Sequence, residues 1–290
     1  MPSMKAIKQR RASVQNMQQA MRAMNLVATA KLQRARAEFQ QVRGFVEGTD
    51  KVALSAAMDT RVAENEYVQG HADSRGNALY LVISSDRGKC GGYNLNVAKA
   101  AVAHAIEHGN TSAKVTVVGL KGLDYFLNRG QVAKYEQAPK GQPEYKNAKR
   151  IANDILTEFN LKDPQQRVDE VYVVYTKFTS ILATEPTVVQ VLPLKARTVG
   201  QAKSNTNMEY DPGPEGFLNH MVSGYLSAFI YGAMMESIVC EQAARMLNMD
   251  AATNNAQEII EDLTLMFNRQ RQGAITQEIS EIVSGANALQ

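Results

Sequence analysis

The sequence predicts an α/β head carried between two long terminal helices that pair as an antiparallel coiled coil. Three observations predict it. The eight prolines all fall at Pro2 or between Pro139 and Pro214, which leaves both ends of the chain free to form long helices. Both ends carry apolar residues at alternating three- and four-residue steps. The middle alternates short β-type runs with helical spacing.

The N-terminal helix is expected from about Met4 to about Met58. Its stripe runs Val14, Met17, Met21, Met24, Ala28, Leu32, Ala35, Phe39, Val42 and Val46, with one stutter between Ala28 and Leu32. Gly44 and Gly48 weaken its far end. The head opens with a β-type run at Ala78–Ser84, and others follow at Lys114–Leu120, Val168–Lys177 and Thr187–Leu194. Helical spacing appears at Tyr93–His108 and Tyr145–Phe159, and the polar stretch Ala196–Pro214 is expected as a loop. The C-terminal helix follows Pro212 and Pro214. Its stripe is Met235, Val239, Gln242, Met246, Met249, Thr253, Ala256, Ile260, Leu263 and Phe267, resuming with Ile275, Ile279, Ile282, Ala286 and Leu289. At 1.5 Å per residue these helices are roughly 80 and 110 Å long, too long for a compact globule of this mass. Each has a narrow apolar stripe that needs a partner, and the economical partner is the other helix. The expected division is 1–58 coiled-coil helix, 59–211 Rossmann-like head, and 212–290 coiled-coil helix.

Composition limits the function classes. The 290 residues are 44% hydrophobic and 21% charged, which excludes a mostly disordered chain. No run of about 18 apolar residues is read as a membrane span. Two cysteines, Cys90 and Cys240, cannot make a disulfide framework, and a reduced compartment is expected. The basic N-terminus continues the helical pattern and is kept as mature protein. Residues 1–43 hold nine Lys/Arg against one acid, and residues 236–290 hold three Arg against eight acids. The ends could attract each other, or the basic end could seek an acidic partner.

Candidate chemistry is sparse. The loop from Ser84 through Asp86, Arg87, Gly88, Lys89, Cys90, Gly91 and Gly92 to Asn94 sits where a phosphate-binding loop would. It is neither GxGxxG nor GxxxxGK[ST], and a structural strand-to-helix turn is the preferred reading. Lys89 and Arg87 could lower the Cys90 thiol pKa, but no histidine is close in sequence to act as base. His104 and His108, one helical turn apart, are a possible half of a metal site with no cluster nearby to complete it. His71 and His220 lie in unrelated segments, and solvated histidines are the preferred reading. The basic helix could bind nucleic acid, yet its other face is a heptad seam and Phe39 is its first aromatic residue. No catalytic constellation emerges. An interaction protein is the best reading, ahead of a nucleotide-using enzyme or a nucleic-acid binder.

Three blocks carry a resemblance. Ile7–Leu32 (IKQRRASVQNMQQAMRAMNLVATAKL), Ser84–Asn94 (SSDRGKCGGYN), and Ala243–Ala256 with Leu263–Ala288 (LTLMFNRQRQGAITQEISEIVSGANA) resemble the gamma-subunit family of the rotary F-type ATP synthase. They lie in family order across the whole chain. The resemblance implies a non-catalytic central shaft, with ATP chemistry carried by the beta subunits and no cofactor or metal of its own. Its coiled coil would lie within the alpha/beta hexamer. Its head would bind the epsilon subunit and the c-ring, at the cytoplasmic face of a bacterial membrane that it does not span. By motif, Met24, Lys31, Arg245, Arg271, Gln272 and Gln277 would contact the beta subunit. Ile282, Ala286 and Leu289 would form the bearing tip. Lys89 and Gly273 depart from the family pattern.

Overall fold

The computed structural model describes residues 3–110, 113–129, 133–139, 141–194 and 209–288. Most of the stretch expected as a loop at 196–214, and Leu289 of the expected tip, lie outside these residues. The first helix, α1 (Met4–Ala57), is followed by a 3₁₀ turn at Thr60–Val62 and a short α2 (Glu66–Gln69). The head then alternates β1 (Ala78–Ile83), α3 (Tyr93–Glu107), β2 (Lys114–Val118), α4 (Leu120–Leu127), β3 (Ala133–Glu136), α5 (Tyr145–Phe159), β4 (Glu170–Phe178) and β5 (Thr184–Leu192). The last helix, α6, runs Pro214–Ala288 without interruption. The expected terminal helices and α/β middle are therefore present.

Two compact units emerge, Met1–Thr29 with Arg245–Gln290, and Ala30–Ala244. The larger is built on one sheet in the order β3-β2-β1-β4-β5. The pairs β3-β2, β2-β1 and β1-β4 are parallel, and β5 closes the edge antiparallel to β4. Every residue of β1 is buried, as an apolar strand covered on both faces requires. Alternate residues serve opposite faces. Leu79, Leu81 and Ile83 join Val171 and Val173 in one core with α5, the end of α1 and the start of α6. Ala78, Tyr80 and Val82 join Val174 in a second core with α3 and α4. Helix α5 presents Ala148, Ile151, Ala152, Ile155 and Phe159 to the first core, the spacing of an amphipathic helix.

Four elements lay hidden in the sequence: the 3₁₀ turn, α2, α4 and β3. The run expected as a strand to Leu120 ends at Val118, because Gly119 takes φ +96° and turns the chain into α4. Strand β3 has only four residues. By composition and length, α6 also contains one window apolar enough to cross a bilayer, contrary to the sequence expectation. That window is 72% buried inside the protein, consistent with Leu218, Val222, Tyr225, Leu226 and Ile230 belonging to the first core.

In the smaller unit the two helices pair antiparallel. Ile7 and Val14 of α1 pack with Ala256, Ile260, Leu263 and Phe267 of α6. Gln18 donates to the Thr253 carbonyl (3.3 Å) and to Gln257 Oε1 (2.9 Å), and Asn25 donates to the Met246 carbonyl (2.9 Å). The Arg11 guanidinium lies over the Phe267 ring at 5.8 Å. The expected seam is off by one position at one rung. Met17 is exposed and Gln18 is buried in its place, since Gln18 finds two acceptors on α6 that a thioether could not use.

Candidate functional site

The first candidate is the loop after β1. The strand order reverses between β1 and β4, and open α/β sheets take ligands at the carboxyl ends of strands flanking such a point. Here that position is filled by the chain itself. Tyr93, at the start of α3, donates its hydroxyl to the Ser237 carbonyl of α6 (3.1 Å). The Phe178 amide at the end of β4 donates to Glu236 Oε1 (2.8 Å), and the Cys240 thiol donates to the Thr176 carbonyl (3.3 Å). Cys90, Tyr93 and Cys240 form one buried apolar cluster with Phe178 and Ala244. Burial pushes the Tyr93 hydroxyl and the Cys240 thiol well above their ordinary pKa values, so both stay protonated.

The loop's own polar groups are spent holding its shape. The Ser85 amide donates to Asn94 Oδ1 (2.9 Å). The Leu120 amide donates to Asp86 Oδ1 (2.9 Å), so Asp86 places its carboxylate on the first turn of α4. Asn94 Nδ2 donates to Cys90 Sγ (3.2 Å), and the Cys90 thiol faces the Arg87 carbonyl. Positive φ falls at Lys89 and Gly91, not at Gly88 or Gly92. Arg87, Lys89, Gly91 and Gly92 are exposed, whereas Cys90 is buried. These observations support the structural turn over a phosphate loop, and a packed thiol over a nucleophile.

The second candidate is the outer surface of the terminal helices. Met24 and Arg245 are half-buried, and Lys31 is exposed on α1. Arg271, Gln272 and Gln277 are exposed on α6. Gln277 donates to Glu281 Oε1 (2.9 Å), and the Gln272 carbonyl accepts from Thr276 (2.9 Å). Among the described residues, the apolar packing of α1 on α6 ends at Phe267. Beyond it Ile275, Ile279, Ile282 and Val283 are exposed, Ile282 by 71%. Ala286 continues the helix. The predicted contact residues are therefore spread along the helices and do not converge on one pocket. This terminal stripe was visible in the sequence as a continuation of the seam; its lack of packing against α1 was not.

Histidines occupy mixed settings. His71 is buried and donates Nε2–H to the Phe159 carbonyl (3.0 Å). His104 is half-buried beside Tyr80, and burial together with His108 lowers its pKa. Among the described residues no group of three His, Cys, Asp or Glu side chains is arranged to hold a metal ion.

Two terminal helices paired around an amide-pinned seam, and a head whose ligand crevice is filled from within, define a protein built on helix contacts. A family model described as ATP synthase matches residues 3–289. An ATP synthase gamma chain of Alkaliphilus metalliredigens is 36% identical over 292 residues, covering 99% of this chain and 98% of that one. A sodium-ion-specific ATP synthase gamma chain of Acetobacterium woodii is also 36% identical, over 98% of this chain and 97% of its own length. The fold matches a chain of the Euglena gracilis mitochondrial ATP synthase OSCP/F1/c-ring structure with TM-score 0.69 at 16% identity, covering 99% and 94% of the two chains. The chain belongs to the gamma-chain family of the F-type ATP synthases, the rotor of the central stalk.

Proposed function

We propose that this chain couples ion flow through a c-ring to ATP synthesis and hydrolysis at an alpha/beta hexamer by rotating within it, without catalysing either reaction itself. The observation that carries this reading is the exposed apolar stripe of α6 beyond Phe267. A helix presenting Ile275, Ile279 and Ile282 to water offers the kind of exposed apolar patch that marks a surface for a partner. In this reading the partner is the upper bearing of the hexamer. In this reading Ile282, Ala286 and Leu289 form the bearing tip. Met24, Lys31, Arg245, Arg271, Gln272 and Gln277 bear on the moving part of the beta subunits. Residues 1–58 and 212–290 act as the shaft, and residues 59–211 as the head that meets the epsilon subunit and the c-ring. The complex works at the cytoplasmic face of a bacterial membrane.

Rotation does its work through populations. Moving a beta site from 1:99 to 99:1 between two conformations takes about 5.5 kcal/mol of differential contact energy. The shaft must therefore bind each conformation differently at each angle, and contacts spread over many residues suit this better than one pocket. The reading is tested by mixing the chain with purified alpha/beta hexamer. One copy per hexamer, stimulated ATP hydrolysis and one-way rotation of an attached bead are expected. Binding of nucleotide to the isolated chain without binding to the hexamer would refute it.

A further inference from the structure

We propose that His71 is a proton-operated clasp at the joint where the chain leaves α1 and enters the head. Taking a proton at Nδ1, it grips Glu66 and tightens α2 onto the C-terminal end of α5. The joint is the stretch between Ala57, which ends α1, and Ala78, which begins β1. Helix α2 lies on this route and is held on several sides. Tyr67 stacks on Phe159 of α5 with ring centroids 5.7 Å apart. Its hydroxyl accepts from Asn160 Nδ2 (2.9 Å), and its carbonyl accepts from the Leu194 amide (2.9 Å). Just before it, Asn65 Nδ2 donates to Asn219 Oδ1 of α6 (3.1 Å). What tightens α2 therefore stiffens the entry to the head.

The geometry around the ring is that of a switch. The His71 side chain is 3% exposed, and its ring lies 4.6 Å from that of Phe159. A carbonyl only accepts, so the bond to the Phe159 carbonyl places a proton on Nε2 and leaves the lone pair on Nδ1. Among the described residues that buried Nδ1 has no hydrogen-bond partner. Glu66 Oε2 lies 3.5 Å from it, beyond ordinary bonding distance. A neutral ring and a carboxylate are two acceptors that hold each other off. A proton from solvent turns Nδ1 into a donor, and Glu66, 69% exposed and free to rotate, closes on it as a charge-assisted bond. The surroundings favour the cation. Phe159 is the last residue of α5, so its carbonyl belongs to the negative end of that helix. Asp73, in the loop after His71, senses the ring's charge and is itself paired with Arg167. The charged groups facing the ring are therefore Glu66 from α2 and Asp73 from its own loop, with the helix end of α5 on the third side. Together they oppose the cost of charging a buried imidazole.

The test uses the full-length chain, labelled with ¹⁵N and compared at about pH 5.5 and about pH 8, on either side of the ordinary histidine range. Ring spectra should show His71 with protons on both nitrogens at the lower pH and on Nε2 alone at the higher. Native-state exchange is read at the Val68, Gln69 and Gly70 amides, which donate to the Asn65 and Glu66 carbonyls. After correction for the pH dependence of free amide exchange, their protection should be about two- to fivefold greater at the lower pH. Glu66→Ala, at an exposed position, should fold normally by circular dichroism and lose that gain. A His71 ring with the same protonation at both pH values, α2 protection that does not change with pH, or the full gain persisting in Glu66→Ala would overturn the proposal.

Discussion

Single residues in the head act chiefly by fitting. Gly119 combines φ +96° with a position where an added Cβ would lie 2.6 Å from the Ser84 carbonyl oxygen. Gly119→Ala should cost at least about 2 kcal/mol, read as a lower urea midpoint. At Gly273 a Cβ meets nothing within 4 Å. Gly273→Ala should instead strengthen the helix locally by about 1 kcal/mol, read as slower amide exchange around it. Glu236 gives a signed pH effect. Burial raises its pKa above 4.5, partly offset by the Phe178 amide. The folded protein therefore holds its proton more tightly than the unfolded chain. This contribution is fully present below pH 4.5 and is lost as pH rises through the raised value. Glu236→Gln should flatten that part of the stability–pH curve. At this scale the sequence revealed residue identities but not environments. The absence of a nearby histidine already favoured a packed Cys90 over an activated one, and the fold adds what it packs against, Tyr93 and Cys240.

At the scale of elements, close approach and polar rungs fix how helices meet. A Cβ on Gly232 of α6 would lie 2.8 Å from a Val46 methyl of α1. Gly232→Leu should force the helices apart there and cost about 1–3 kcal/mol, measured by thermal melting. In the smaller unit Gln18 acts as a register pin, as a buried polar residue does in a coiled coil. Gln18→Ala should cost about 0.5–1.5 kcal/mol by removing two part-buried hydrogen bonds between the helices. Long elements were legible because their periodicity runs for many turns. Strand β1, α3, α5 and both terminal helices were all readable this way. Short ones were not: β3 offers four residues, and α4 was masked because Gly119 and Leu120 extend the apolar run of β2. The shift from Met17 to Gln18 was also invisible, since it depends on which acceptors the partner helix presents.

For the whole molecule, the proposed rotation predicts that binding and coupling separate. A chain ending after Phe267 keeps the packed seam and loses the exposed stripe. It should still bind the hexamer, with ATP hydrolysis and bead torque reduced. Arg271→Ala and Gln272→Ala, both at exposed positions, should leave the melting point within about 0.5 kcal/mol of stability while lowering hydrolysis. Equal loss of binding and coupling in these variants would count against a torque role. Membership of the family was legible from three blocks of sequence. The proposed coupling surface was legible only as positions, because the contacts it would make lie with another chain.

The filling of the head crevice by α6 also sets an order of events during synthesis. The sheet is complete once Leu192 has been made, but Cys240 and Ser237, which close the crevice, come almost fifty residues later. At about 5–20 residues per second, that gap lasts on the order of 2–10 s. Throughout it the nascent head has its strands in hand and its apolar pocket around Cys90 and Tyr93 uncovered. Alkylating reagents should therefore label Cys90 on ribosome-bound chains arrested before Ser237 and spare it in the finished protein, making this thiol a timer for the arrival of the last helix.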